Sequence, residues 1–178
     1  MTFSKFPQFF AAALVFFAAV FSTFSVTAAA QNFQSEYSDL NSGSELTKRE
    51  KVARSVDGDT LILVSGERIR LIGVDTPETV HPNKPVEYFG KQASAFTKRE
   101  IEGKDVMLQY DVQTKDKYGR TLAYVYRADD GFFLNKEIIK QGYGHAYTKF
   151  PFKYMDQFRI AENEARTNQL GLWKDEDL

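Results

Sequence analysis

The apolar positions of this chain fall into two regimes. Before residue 31 they form one unbroken run, Phe9 to Phe21; from Lys51 onward they come in short groups divided by polar turns. Val52 to Val56 and Thr60 to Val64 flank Asp57-Gly58 and predict two strands about a turn. Ser65-Gly66 predicts a hairpin. A third strand is expected over Glu67 to Val74, where Arg68 and Arg70 alternate with Ile69 and Leu71. Pro77, Pro82 and Pro85 mark the next stretch as a loop, because proline breaks a regular ladder. Phe89, Ala93 and Phe96 lie at helical spacing and predict a helix over 87–102, closed by Gly103. Val106 to Tyr110 and Thr121 to Tyr126 are two further expected strands. Leu134, Ile138 and Ile139 predict a short helix ending at Gly142, and Tyr154, Phe158, Ala161 and Ala165 a final one. Five short strands, one helix between the third and fourth, and two helices after them predict an α+β fold. The expected architecture is a five-stranded OB-type β-barrel with three α-helices, a scaffold that commonly presents a strand face and loops to nucleic acid.

The first regime has a different meaning. Its layout, with Lys5, the apolar run and the small residues Ala28-Ala29-Ala30, is that of a secretory signal peptide over residues 1–30. An uncleaved anchor is the alternative, since Phe9 to Ala30 approaches the roughly 20 residues needed to span a bilayer. The short apolar core and the alanine end favour cleavage. Residues 31–47 are read as a flexible lead-in and 48–178 as the folded domain. The expected product is exported to the periplasm or the medium, is free of the membrane and is a monomer. Lys5 is the single charged side chain before residue 31. The rest of the chain therefore carries 22 basic against 24 acidic residues, a formal charge of −2 against −1 for the whole. Global charge thus gives no attraction to a polyanion, and any such attraction must be local. The absence of cysteine excludes disulfides and thiolate metal sites. His81 and His145 stand apart from further histidines, so a zinc site is not expected.

Three polar segments at strand edges carry the candidate chemistry: Asp57-Gly58-Asp59-Thr60, then Arg70 leading into Asp75-Thr76-Pro77-Glu78, then Asp116-Lys117-Tyr118-Gly119-Arg120. Carboxylate oxygens suit a hard cation. Arginine grips phosphate with two parallel hydrogen bonds. Each segment alone is also readable as turn or loop chemistry. Bringing Arg70 to the same point as Asp75 requires a twist or bulge near Gly73. Tyr124, Tyr126, Phe132, Phe133 and Tyr143 are read as packing residues rather than as an aromatic platform.

In order along the chain, these segments resemble the staphylococcal-type nucleases. Val56-Asp57-Gly58-Asp59-Thr60, Arg70-Leu71, Val74 to Thr79, His81-Pro82, Ala93 to Thr97 and Asp116 to Arg120 carry the likeness. Leu122-Ala123-Tyr124, Asn135-Lys136-Glu137, Gln141-Gly142, Ala146-Tyr147 and Gly171-Leu172-Trp173 extend it over roughly 50–174. The resemblance implies an OB-fold endonuclease that requires calcium, hydrolyses phosphodiester bonds of DNA and RNA and leaves 3′-phosphate ends. It implies that Asp59, Asp75 and the carbonyl of Thr76 hold calcium, with Asp57 nearby through water. Arg70 and Arg120 would bind the scissile phosphate and Glu78 would orient or deprotonate water. Lys117 and Tyr118 would meet the neighbouring phosphate, and Tyr147 the nucleotide. One departure stands out: Lys149, followed by Phe150, occupies the place of the family's second tyrosine. The competing expectation is an OB-fold module that binds nucleic acid without cleaving it.

Overall fold

The computed structural model describes residues 47–79 and 87–174. The expected signal segment, the lead-in up to residue 46 and His81 with Pro82 and Pro85 lie outside the described residues. The first strand, β1, covers Thr47–Ser55. β2 is Thr60–Leu63 and β3 Arg68–Leu71. Asp105–Gln109 is β5 and Thr121–Arg127 is β6. These five close a barrel in the order β1-β2-β3-β6-β5.

Closure depends on β1. Its first half pairs antiparallel with β5, from Thr47 opposite Gln109 to Lys51 opposite Asp105. Its second half pairs with β2, and the register shifts between Val52 and Arg54. That irregularity bends the strand, which lets one strand serve two neighbours. The remaining seam is parallel: Ile69, Arg70 and Leu71 of β3 lie beside Thr121, Leu122 and Ala123 of β6. Alternation fills the interior, with Val52, Leu61, Leu63, Ile69, Leu71, Val106, Leu108, Ala123 and Val125 all buried.

The third strand does not run to Val74. It ends at Leu71, turns at Ile72-Gly73, where Gly73 has φ 71°, and resumes as a separate two-residue strand β4, Val74–Asp75. β4 pairs with β7, His145–Ala146, in a small second sheet. Gly73 is obligatory there twice over. Its φ is left-handed, and an added Cβ would lie 2.5 Å from the ring of Phe152.

Among the described residues, three helices cover the barrel. α1, Gly90–Ile101, buries Ala93, Phe96, Thr97 and Ile101 along one face. It begins three residues later than expected, because Glu87 ties back to Glu78 and Phe89 is left-handed rather than helical. Glu87 N–H donates to the Glu78 carbonyl, and Phe89 adopts φ 62°. α2 is Leu134–Lys140 and α3 Met155–Thr167, followed by a 3₁₀ turn at Gly171–Trp173. Asn135, fully buried on α2, ties the parallel seam together. Its amide donates to the carbonyls of Ile72 and Ala123, and its oxygen accepts from Val125 N–H. The aromatic residues pack as expected: Tyr126 stacks on Phe133 at 4.4 Å and Tyr143 on Phe96 at 4.3 Å.

Candidate active site

Asp59 and Arg70 meet because β2 and β3 are antiparallel neighbours with Thr60 opposite Arg70. Leu71 N–H donates to the Asp59 carbonyl, which continues the ladder past the strand end. The turn before β2 is knitted by its own polar groups. Asp57 Oδ1 accepts from Asp59 N–H at 3.1 Å, the turn geometry for which Asp-Gly is favoured. Thr97, buried on α1, donates its hydroxyl to the Gly58 carbonyl at 2.7 Å. The functional and structural readings of Asp57 therefore coexist: its carboxylate shapes the turn and borders the acidic pocket.

The strap Asp75 to Thr79 crosses this turn. Thr76 donates both its N–H (3.0 Å) and its hydroxyl (3.1 Å) to Asp59 Oδ2. Thr60 donates its hydroxyl to Asp59 Oδ1. Arg70 bridges the two carboxylates: Nη1 lies 2.6 Å from Asp59 Oδ2, and Nη2 donates to Asp75 Oδ1 at 3.3 Å. The Nη1 contact is close but off the line of its N–H bonds, so this buried donor has no directed hydrogen bond. It is an ion pair with donor capacity to spare. The turn at Gly73 supplies the twist that convergence of Arg70 with Asp75 required.

Two glycines make room for the strap. A Cβ at Gly58 would stand 2.6 Å from Thr76 Oγ1, and one at Gly144 would stand 3.0 Å from the Asp75 carbonyl. Glu78 donates its N–H to Glu87 Oε2, and its own Oε1 accepts from Thr79 N–H.

The electrostatics follow from this crowding. Asp57 is pushed up to about 6, first by burial and then by the charge of Asp59. Asp75 is raised too, again by burial first, with Arg70 pulling against it. Although the Asp75 side chain is about half exposed, the strap and Asp59 beside it leave the carboxylate poorly compensated. The pocket thus gathers three carboxylates around one guanidinium. All the donors are oxygens, which suits a hard cation such as calcium. Among the described residues, no three acidic or histidine side chains form a metal cage by themselves. A cation here would need main-chain or water oxygens as well as Asp59 and Asp75, which fits a carbonyl ligand such as Thr76.

Arg120 belongs to a second group. Asp116 organises its loop, accepting from Tyr118 N–H and Arg120 N–H on Oδ1 and from Arg120 Nε on Oδ2 at 2.6 Å. Burial alone would raise Asp116, but these hydrogen bonds hold it below the usual carboxylate range. Gly119 provides the left-handed turn with φ 80°. Arg120 and Lys117 both sit over the Tyr118 ring, at 5.5 and 4.9 Å. The parallel seam links the two groups, since Arg70 pairs with Leu122, two residues beyond Arg120. Tyr147 is held beside the same turn by its N–H to the Gly73 carbonyl. Lys149 Nζ lies 5.5 Å above the Tyr147 ring, and exposed Phe150 is 6.4 Å from it.

Three residues to which the sequence reading gave no role of their own support the site. Thr97 holds the Asp57–Asp59 turn, Glu87 holds the backbone of Glu78, and Asp116 holds Arg120. Only Asp116 left a local signal, an acidic residue four positions before an arginine across a glycine turn.

Comparison with known proteins agrees with this geometry. A family model described as staphylococcal nuclease homologue matches residues 68–175. The chain is 45% identical over 149 residues to a protein named thermonuclease from Staphylococcus intermedius, covering 80% of this chain and 83% of that one. A thermonuclease from Staphylococcus hyicus is 44% identical over 127 residues, 69% of this chain and 74% of that protein. Endonuclease YncB from Bacillus subtilis is 40% identical over 126 residues, 67% of this chain and 59% of that protein.

Proposed function

The chain belongs to the staphylococcal nuclease homologue family, and from that premise we propose that it is an exported, calcium-dependent endonuclease acting on DNA and RNA. In this reading it leaves 3′-phosphate ends. The observation that carries the proposal is the Arg70 bridge. One guanidinium with a buried, undirected N–H stands among three carboxylates, two of them raised by burial. Such a pocket is suited to receive a cation and a phosphate together.

Asp59, Asp75 and the Thr76 carbonyl would hold the calcium ion, with Asp57 beside it through water. When bound, the ion would screen the phosphodiester charge and lower the cost of the five-coordinate phosphorus. Arg70 trades carboxylate partners for phosphate oxygens once the acidic pocket is neutralised. Arg120, held at Nε by Asp116, offers its remaining donors where negative charge grows. Glu78 takes the proton from the attacking water as its oxygen bonds to phosphorus. The bond from phosphorus to the 5′ oxygen breaks, that oxygen takes a proton from solvent, and the phosphate stays on the 3′ side. Lys117 and Tyr118 steady the neighbouring phosphate, and Tyr147 with Phe150 lies against the nucleotide.

The test is cleavage of single-stranded DNA by the exported protein with calcium or with a chelator. Calcium-dependent cleavage leaving 3′-phosphate ends is expected. Binding of DNA without cleavage would replace the enzyme by a binding module. Intact mass of the exported protein is expected to show loss of residues 1–30; their retention would support an anchor instead.

A further inference from the structure

A cleft of about 460 Å³ lies between the β2–β3 hairpin and the loop before β6. It is lined by Glu67, Arg68, Tyr118, Gly119 and Arg120. Tyr118 and Arg120 already have roles in the proposed site, whereas Arg68 has none.

Arg68 and Arg70 are the first and third residues of β3. Side chains two apart share one face of a strand, here separated by about 6.6 Å at ~3.3 Å per residue. The burial pattern agrees, with Ile69 and Leu71 turned into the barrel while Arg68 is exposed. Across the parallel seam Ile69 lies beside Thr121, which sets Arg68 next to Arg120. Three guanidinium groups therefore share one edge of the barrel, with a separation close to the step between neighbouring phosphates of a nucleic-acid strand.

The acids nearby are engaged elsewhere. Glu67 Oε1 accepts from the Thr121 hydroxyl at 2.6 Å, and Oε2 faces Lys48 at 3.7 Å. Asp116 is taken by Arg120. Tyr118, 72% exposed, offers a flat ring at the mouth of the cleft, with Lys117 and Arg120 beside it. Arg70 and Arg120 are paired with carboxylates, so Arg68 is the arginine of the three whose charge is left for an outside anion. An open cation beside an exposed aromatic ring is what a single-strand groove uses: charge for the backbone and a π-face for a base.

We propose that Arg68 extends the neighbouring-phosphate subsite of Lys117 and Tyr118, adding a further grip on the backbone of a single-stranded polynucleotide outward from the phosphate held by Arg70 and Arg120. The inference rests on the nuclease reading. It makes the protein prefer chains longer than a dinucleotide, with Arg68 gripping the outlying phosphate.

The experiment compares wild-type protein, Arg68→Ala and Arg68→Lys on oligothymidylates of two and twelve nucleotides with calcium, from about 25 to about 300 mM salt. For Arg68→Ala the KM preference for the longer chain is expected to fall about fivefold, the scale of one exposed ion pair. The slope of log affinity against log salt should drop by about 0.7, one phosphate contact on a single strand. Arg68→Lys should recover that slope, since it restores the charge. An unchanged preference and slope in Arg68→Ala overturn the proposal. Fluorescence anisotropy of the labelled twelve-mer, with chelator in place of calcium, reads the same slope without turnover. If the wild-type protein cleaves nothing, the nuclease reading fails while the anisotropy slope still decides the role of Arg68.

Discussion

Arg70 and Arg127 are almost equally sheltered, with 16% and 14% of their side-chain surface exposed, and each gathers acidic partners. The outcomes are opposite. Arg127 binds Glu100, Asp129 and Asp130 and lies 4.5 Å above the Phe132 ring. Burial tends to raise Glu100, but hydrogen bonds from Arg99 and Arg127 leave it below its ordinary value. At Asp130 the Arg127 hydrogen bond dominates and also lowers the carboxyl, and the guanidinium itself is pushed up. Around Arg70, burial wins and both Asp57 and Asp75 are raised. The Arg127 cluster sets two guanidiniums, Arg99 and Arg127, against three carboxylates, whereas the Arg70 cluster has one against three. The directed hydrogen bonds from both arginines lower Glu100, and burial is left to raise Asp57 and Asp75. The Arg127 cluster is complete and holds the surface together. The Arg70 cluster holds surplus negative charge.

The strongest way to break this contrast is Asp59→Ala, with Glu78→Gln and Arg120→Ala beside it. Each should lower calcium-dependent turnover on DNA by ~10²-fold or more. Near-ultraviolet circular dichroism should show the fold retained. A drop of the same size in Arg127→Ala, counted per folded molecule, would erase the distinction between the two clusters.

A chelator-treated protein sharpens it through pH. The folded pKa of Asp57 lies above its unfolded one, so its contribution is fully present below about 4 and is lost as pH rises through about 6. Asp57→Asn removes that loss and should gain about 2 kcal/mol on wild type at pH 7 in urea unfolding. Glu100 and Asp130 have the reverse sign. Their contribution is full above the ordinary carboxylate range and disappears as pH falls through their lowered values. Arg127→Ala should flatten that acid limb and cost about 1–2 kcal/mol at neutral pH. A pH dependence of the same sign from both clusters would contradict the comparison. The smallest effect is expected from Thr97→Val, which strands the Gly58 carbonyl beneath the acidic pocket. It should cost about 1 kcal/mol in urea unfolding and reduce turnover only severalfold, leaving the Arg127 cluster unaffected.

Much of the barrel was legible in the chain because alternation and helical spacing are local signals. Leu61, Leu63, Ile69, Leu71 and Phe96 all face inward as their periodicity required. Asp57, Asp59 and Asp75 do gather around Arg70. What local pattern does not carry is pairing at a distance. Nothing in Val74-Asp75 announces that it pairs with His145-Ala146, and that small sheet is what divides the expected third strand. Nor does the sequence show one guanidinium shared by Asp59 and Asp75, because the sharing depends on the turn at Gly73. The Arg127 cluster went unread for a similar reason: Glu100 lies 27 positions before its partner, at the far end of a helix.

The strap carrying Asp75 and Thr76 is gripped with no clearance between Gly58 and Gly144. A methyl group on either glycine would act as a shim, displacing the strap by tenths of an ångström from one side or the other. Thr76 and Asp75 would move with it while every charged group kept its identity. The spacing of Asp59, Asp75 and Thr76 is therefore set by two residues that have no side chain.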